Sequence, residues 1–294
     1  DNRIMLTRFF LFLTRLLARL PLPILRWIGK MLGRMAYRLL ASRRRIVLTN
    51  FRLCFPQWSE AERQARACEV FVYVMQSWLD RGWLWHASPA LLKKRLHLTG
   101  AVQELEGDEP TVIFAPHFVA LDAGWTALTL QINRRFSGIY TKQSNPVVDN
   151  WIYEGRIRFG TTPIFGRVDG VRAGVRSIVA GLRDGLALYL LPDMNFDPSE
   201  SVFVPFYGVP AATIPSLSRF AKLGKAKVVP VISRMTEQGY AIEVIATWKN
   251  FPTNDAVADT AFMNTQLEAY INTMPTQYYW VHRRFKDRPN GETP

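Results

Sequence analysis

His117-Phe-Val-Ala-Leu-Asp122 places an imidazole five residues ahead of a carboxylate, directly after an apolar run and Pro116. A histidine can take up a proton near neutral pH, and a neighbouring carboxylate can hold its second ring nitrogen and stabilise the imidazolium that forms. At the C-terminal end of a buried strand, such a histidine occupies the position where α/β proteins build their sites. The positive end of a following helix opposes protonation and favours the neutral, basic ring. Five residues of ideal helix separate two side chains by about 140°, so contact requires His117 to lie in the loop before the first regular turn. Spacing alone does not discriminate. His282-Arg-Arg-Phe-Lys-Asp287 repeats it among further cations, with no apolar helix behind it. A structural histidine with satisfied hydrogen bonds is the plainer reading of either copy.

The elements that must position His117 are legible from apolar patterning. Thr111 to Ala115, between Pro110 and Pro116, reads as a buried strand, and Leu121, Trp125, Leu128 and Ile132 follow at helical spacing. Strands are expected at 137–140, 186–191, 228–235 and 240–246, and helices at 146–159, along Val171 to Leu182, and at 256–273. Ser59-Glu60-Ala61-Glu62 opens another helix as a capping box. The alternation predicts an α/β fold with a central, mostly parallel or mixed sheet flanked by helices. With no Gly/Ser-rich linker, residues 45–294 read as one domain. No G-x-S-x-G, Walker A, G-x-G-x-x-G, H-E-x-x-H or paired C-x-x-C occurs, which weighs against common serine hydrolases, nucleotide hydrolases, dinucleotide oxidoreductases and zinc enzymes.

Composition adds a second constraint. The 294 residues are 48% hydrophobic with only two cysteines, which excludes a disordered chain and a disulfide framework. The net charge is +13, and residues 1–50 carry eleven of the cations against one anion, Asp1. Between those cations lie Phe9, Phe10, Leu11, Phe12, Leu13, Leu16 and Leu17, then Ile24, Leu25, Trp27 and Ile28. On a helical wheel Arg8, Arg15, Arg19, Arg26 and Lys30 fall within about 60° of one another. Residues 1–44 therefore read as a membrane-associated helical segment lying in the interface, with its arginines at anionic headgroups. Pro21 and Pro23 kink or split it. A spanning helix over 4–28 is the rival, at a cost of about 3 kcal/mol for Arg15 near mid-membrane; a basic helix packed on its own domain is the third reading. Nucleic acid is not expected, because the cations alternate with Leu and Phe.

Beyond these local signals, the chain resembles the late acyltransferases of lipid A biosynthesis, the lauroyl/myristoyl transferase group of the lysophospholipid acyltransferase superfamily. The blocks that carry the resemblance are Asn50-Phe-Arg-Leu-Cys-Phe-Pro56, the box at 117–122, Asn145-Pro146 with Asp149, Gly155-Arg156-Ile-Arg158 and Pro192-Asp193. Val204-Pro-Phe-Tyr-Gly-Val-Pro-Ala-Ala212 and the long string Tyr278 to Pro289 complete them. The resemblance implies a glycerolipid acyltransferase-like core and transfer of a fatty acyl group from acyl carrier protein to a hydroxyl of a Kdo-bearing lipid A precursor. It also implies the cytoplasmic face of an inner membrane, and no metal or redox cofactor. Some members carry Glu where this chain has Asp122.

On that reading His117 is the base and Asp122 orients it. Arg156 and Arg158 grip substrate phosphate or carboxylate, or else lie on a solvated helix face with Glu154. Asp193, which follows a strand and a proline just as His117 does, is expected at the same sheet edge as an organiser of the site. Lys142 and Arg167 are weaker candidates. The basic string 282–288 reads as a docking surface for acidic carrier protein or anionic lipid, and the Trp-rich stretch 78–85 as an acyl groove, a bilayer contact or ordinary core.

Overall fold

A computed structural model of the chain describes residues 2–160, 164–166 and 171–289. Its N-terminal third is helical: α1 (Asn2–Leu17), α2 (Leu22–Leu39), α3 (Ala41–Cys54), α4 (Glu60–Leu84) and α5 (Pro89–Arg95). The remainder alternates: β1 (Leu96–Gly100), β2 (Thr111–Phe114), α6 (Leu121–Gln131), β3 (Phe136–Tyr140), α7 (Pro146–Ile157), β4 (Ile164–Gly166), α8 (Val171–Arg183) and β5 (Ala187–Leu190). A hairpin, β6 (Val202–Phe206) and β7 (Val209–Thr213), precedes α9 (Ser216–Gly224), β8 (Lys227–Thr236), β9 (Gly239–Val244) and α10 (Ala256–Thr273).

Seven strands form one sheet in the order β1-β9-β8-β2-β5-β3-β4, and the hairpin stands apart. All neighbours in it pair in parallel except β8 with β9. The expected α/β class and mostly parallel sheet are therefore present. Successive strand residues point to opposite faces, which divides the core in two. Val112, Phe114, Leu188 and Leu190 pack with Phe51, Ile178, Phe220 and Leu267, from α3, α8, α9 and α10. Ile113, Tyr189 and Val229 pack on the other face with Trp83, Trp125, Ile152 and Leu25, from α4, α6, α7 and α2.

The capping box closes as its spacing predicts: the Glu62 amide donates to Ser59 Oγ at 3.2 Å and the Ser59 amide to Glu62 Oε2 at 2.9 Å. The first helical stretch splits at the prolines, as expected, and does not continue through residue 28 as the spanning alternative requires. It ends at Leu17 and restarts after Pro21, the N-cap of α2. No described helix is long and apolar enough to cross a membrane.

The break takes one member out of the expected cationic stripe, while Arg8, Arg15, Arg19 and Lys30 stay exposed. Arg26 turns inward, where its Nη2 meets Asp80 Oδ2 at 2.8 Å. The fully buried Asp80 also accepts from Tyr240 Oη at 2.6 Å and Trp83 Nε1 at 3.0 Å. Burial pushes the Asp80 carboxyl above its ordinary range, against the opposing pull of Arg26 and the Tyr240 hydroxyl. Leu22, Leu25, Gly29 and Gly33 form the buried stripe of α2. A Cβ on Gly33 would stand 2.4 Å from Val72 Cα, so only glycine allows this approach to α4. The outward sides of α1 and α2 combine exposed apolar residues, Met5, Phe9, Phe10, Phe12, Ile24, Trp27, Met31 and Met35, with exposed cations such as Arg8, Arg15, Lys30 and Arg34.

Candidate active site

Strand register brings the first two site residues together. Phe114 pairs with Leu190, and the Ala115 amide extends the ladder to the Leu190 carbonyl at 2.9 Å. Each strand then runs through a proline, Pro116 or Pro192, so the residues three places beyond the 114/190 pair, His117 and Asp193, leave the same sheet edge side by side. His117 Nδ1 lies 2.8 Å from Asp193 Oδ1, and the His117 amide donates to Oδ2 at 3.0 Å. Tyr278 Oη donates to the same Oδ2 at 2.9 Å. The turn that presents Tyr278 follows α10 and is stitched to the His117 loop: the Val119 amide donates to the Gln277 carbonyl and the Tyr279 amide to the His117 carbonyl, each at 2.9 Å. Burial raises the fully enclosed Asp193 carboxyl, but His117 and the Tyr278 hydroxyl outweigh it and hold the group below its usual range. The buried carboxylate in turn keeps the Tyr278 hydroxyl protonated, together with the larger effect of burial.

Asp122 does not orient His117, contrary to the expectation from the box. The loop residue His117 precedes α6, whereas Asp122 lies in the first turn of that helix and faces α4 and α7. Its Oδ2 accepts from Nε and Nη2 of Arg81, both at 2.8 Å; its Oδ1 accepts from Arg156 Nε at 2.9 Å and Nη2 at 2.8 Å. Burial works against ionisation here too, and Arg156 and Arg81 overcome it, so the carboxyl sits below its usual range. Two guanidinium groups on one carboxylate leave a net positive charge. Arg81 Nη1 is buried with no partner among the described residues.

Both groups face one cavity of about 1030 Å³ over the C-terminal edge of β2 and β5. His117, Arg81, Asp122 and Arg156 line it, as do Ile139, Ile178, Phe220 and Leu223. The charged cluster thus meets an apolar lobe between α8 and α9.

Other expectations fall elsewhere. Arg158 is not among the lining residues; its Nη atoms donate to the carbonyls of Leu84 and Ala87 and tie the end of α7 to the end of α4. Arg156 pairs with Asp122 rather than Glu154. Lys142 is exposed, and Arg167 lies outside the described residues. The basic string does not form one exposed surface: Arg284 is buried, donating to the Ala212 carbonyl at 2.8 Å and to Thr213 Oγ1 at 2.6 Å, and Phe285 is core. His282, the apparent decoy, lines the cavity; burial and the nearby His117 push its pKa down to about 4. The Trp-rich stretch divides: Trp83 is core and Trp78 lines the cavity, stacked by Arg81 at 4.4 Å. Sequence reading missed Arg81 and gave Tyr278 no role. The one signal for Arg81 was a lone cation inside an aromatic run.

Comparison with known proteins identifies the family. The family described as bacterial lipid A biosynthesis acyltransferase matches residues 2–287. The lipid A biosynthesis lauroyltransferase of Escherichia coli is 29% identical, over 94% of this chain and 90% of its own. The myristoyltransferase of the same organism is 31% identical, over 89% and 80%, and its palmitoleoyltransferase 29%, over 99% and 94%. Among solved structures, the 1-acyl-sn-glycerophosphate acyltransferase of Thermotoga maritima aligns with 86% of this chain and 99% of its own, at a TM-score of 0.40 and 14% identity. A family match across nearly the whole chain, with relatives about 30% identical over most of their length, makes this protein a member of the bacterial lipid A biosynthesis acyltransferase family.

Proposed function

We propose that the protein transfers a fatty acyl group from acyl carrier protein to a hydroxyl of a Kdo-bearing lipid A precursor, with His117 as general base and Asp193 as its partner. The observation that carries this reading is the His117–Asp193 pair at the rim of a cavity with one cationic side and one apolar side. His117 Nε2 takes the proton of the acceptor hydroxyl as its oxygen attacks the thioester carbonyl. Asp193 holds Nδ1 and stabilises the imidazolium. Collapse of the tetrahedral intermediate breaks the C–S bond, and the departing thiolate recovers the proton from the imidazolium. No side-chain nucleophile takes part.

The backbone amides of residues 117–119 are committed to Asp193, Pro116 and Gln277. Developing negative charge on the carbonyl oxygen, or a substrate phosphate or carboxylate, therefore falls to the remaining N–H groups of Arg81 and Arg156. Arg158 has no part in this reading. The lobe lined by Ile139, Ile178, Phe220 and Leu223 suits an acyl chain. The exposed apolar residues of α1 and α2 support a position resting in a membrane interface; the cytoplasmic face of the inner membrane is part of the same reading.

Purified protein given labelled acyl carrier protein and a panel of lipid acceptors tests the chemistry. Transfer to the Kdo-bearing precursor is expected, and His117→Ala is expected to lower it by at least about 10³-fold; equal activity of the variant and wild type would overturn the assignment. Replacing Phe9, Phe10 and Phe12 by serine should release the folded protein from sedimenting vesicles. Unchanged sedimentation refutes the interfacial reading.

A further inference from the structure

α8 and α9 contain arginine and lysine but no aspartate or glutamate. Arg176 and Arg183 on α8, Arg219 and Lys222 on α9, and Lys225 at its C-cap are all exposed. None of the five forms an ion pair among the described residues; Arg183 donates to the Leu223 carbonyl at 2.9 Å and Lys222 to Asn254 Oδ1 at 3.1 Å. Helix dipoles account for part of this pattern, since Arg183, Lys222 and Lys225 sit at helix C-termini, where cations are favourable. They do not account for Arg176 in the middle of α8. They oppose Arg219, which stands in the N-terminal half of α9.

Two further observations locate what these charges serve. Arg219 and Leu223 on α9, and Val175 and Ile178 on α8, also line the active-site cavity, so the cationic face is continuous with its apolar lobe. It also lies on the opposite side of the sheet from α6 and α7, and so from the apolar rows of α1 and α2. Leu223 is the only large apolar side chain exposed on the two helices among the described residues. A bilayer demands a continuous apolar row; a face of unpaired cations with one apolar contact suits a soluble anionic protein.

We propose that the α8–α9 face is the docking surface for a small acidic protein that carries the acyl thioester, and that the donor reaches His117 from the side opposite the apolar arm. This rests on the donor named in the proposed function and adds where that donor binds. The two substrates then enter from different faces of the sheet and meet at its C-terminal edge.

The test is steady-state kinetics of Arg176→Glu/Lys222→Glu with acyl carrier protein as donor and with the same acyl group on pantetheine, which has no protein. KM for the carrier-borne donor is expected to rise about tenfold or more, with kcat kept, while kcat/KM for acyl-pantetheine stays at the wild-type value. The wild-type KM should climb with salt, and that slope should flatten in the variant. Lys93→Glu/Lys94→Glu, exposed cations on α5, should leave both donors unaffected.

An unchanged KM in the double variant overturns the docking proposal, as does an equal rise in the α5 control or an equal loss with both donors. Loss of binding to anionic vesicles with no change in KM assigns the face to lipid instead, and also overturns it. If the double variant fails to fold, Arg176→Glu alone carries the same expectation at smaller size. Failure of wild-type protein to use acyl carrier protein at all refutes the proposed donor, an outcome separate from these.

Discussion

Asp122 lines the cavity and Asp193 stands behind His117 at its edge, both buried and both held below the ordinary carboxylate range, yet they face opposite kinds of partner. Asp193 meets an imidazole that can gain and lose a proton, together with a phenol. Asp122 meets two guanidinium groups whose charge is permanent. The first carboxylate can respond to a proton moving beside it. The second can only fix the geometry and charge of its neighbours. Equal burial and equal direction of shift therefore do not imply equal roles; the ionisability of the partner decides.

Breaking the first pair should have the largest effect on turnover. Asp193→Asn keeps the size of the side chain but can leave the ring in the wrong tautomer, and kcat should fall roughly 10³–10⁴-fold, measured with the Kdo-bearing acceptor at saturation. Breaking the second should show first in stability. Asp122→Asn leaves two largely buried guanidinium groups without an anion, at a cost of about 3–5 kcal/mol, read from denaturant melts. In the wild type this contribution is complete above the ordinary aspartate value of 3.8 and is lost only as pH falls through the lower folded value. A larger kcat loss in Asp122→Asn than in Asp193→Asn, at unchanged stability, would reverse the two roles.

Smaller changes sharpen the contrast. Tyr278→Phe removes one donor from Asp193, worth about 1.5–3 kcal/mol for a bond to a charged group. The carboxylate becomes more basic and supports the imidazolium more strongly, so the acid limb of the kcat profile should move to higher pH; an unmoved limb would leave Tyr278 a packing residue only. His282 supplies the last comparison, a cavity histidine with no acid partner among the described residues. The folded protein binds fewer protons than the unfolded chain between the ordinary value of 6.5 and about 4, so stability should decline as pH falls across that window. His282→Gln should flatten the decline in thermal melts. A slope identical to wild type would show that another group sets it.

Much of this was legible before any coordinates. The strand expected at 111–115, the capping box at Ser59 and the closing helix at 256–273 stand where patterning put them. β1 was missed because Leu96-His-Leu-Thr-Gly100 offers only a short, mostly exposed alternation. The partner of His117 was misassigned for a reason that generalises: a motif advertises residues close in sequence, whereas contact at a sheet edge follows strand register. The correct signal was present in the matching layouts Phe114-Ala-Pro-His117 and Leu190-Leu-Pro-Asp193, which become neighbours only once β2 and β5 are known to pair. Arg26 was assigned to a lipid-facing stripe because a helical wheel presumes an unbroken helix. The turn before Pro21 resets the phase.

The contact between α2 and α4 has one more consequence. Glycine against backbone at Gly33 and a buried ion pair between Arg26 and Asp80 fix α2 to α4 at two levels. Whatever surface the exposed side of that helix rests on, the cavity beside His117 meets it at a constant tilt and height. A lipid hydroxyl would then be met at one depth, and this geometry offers a way to discriminate among the several hydroxyls of a large glycolipid without contacting each of them.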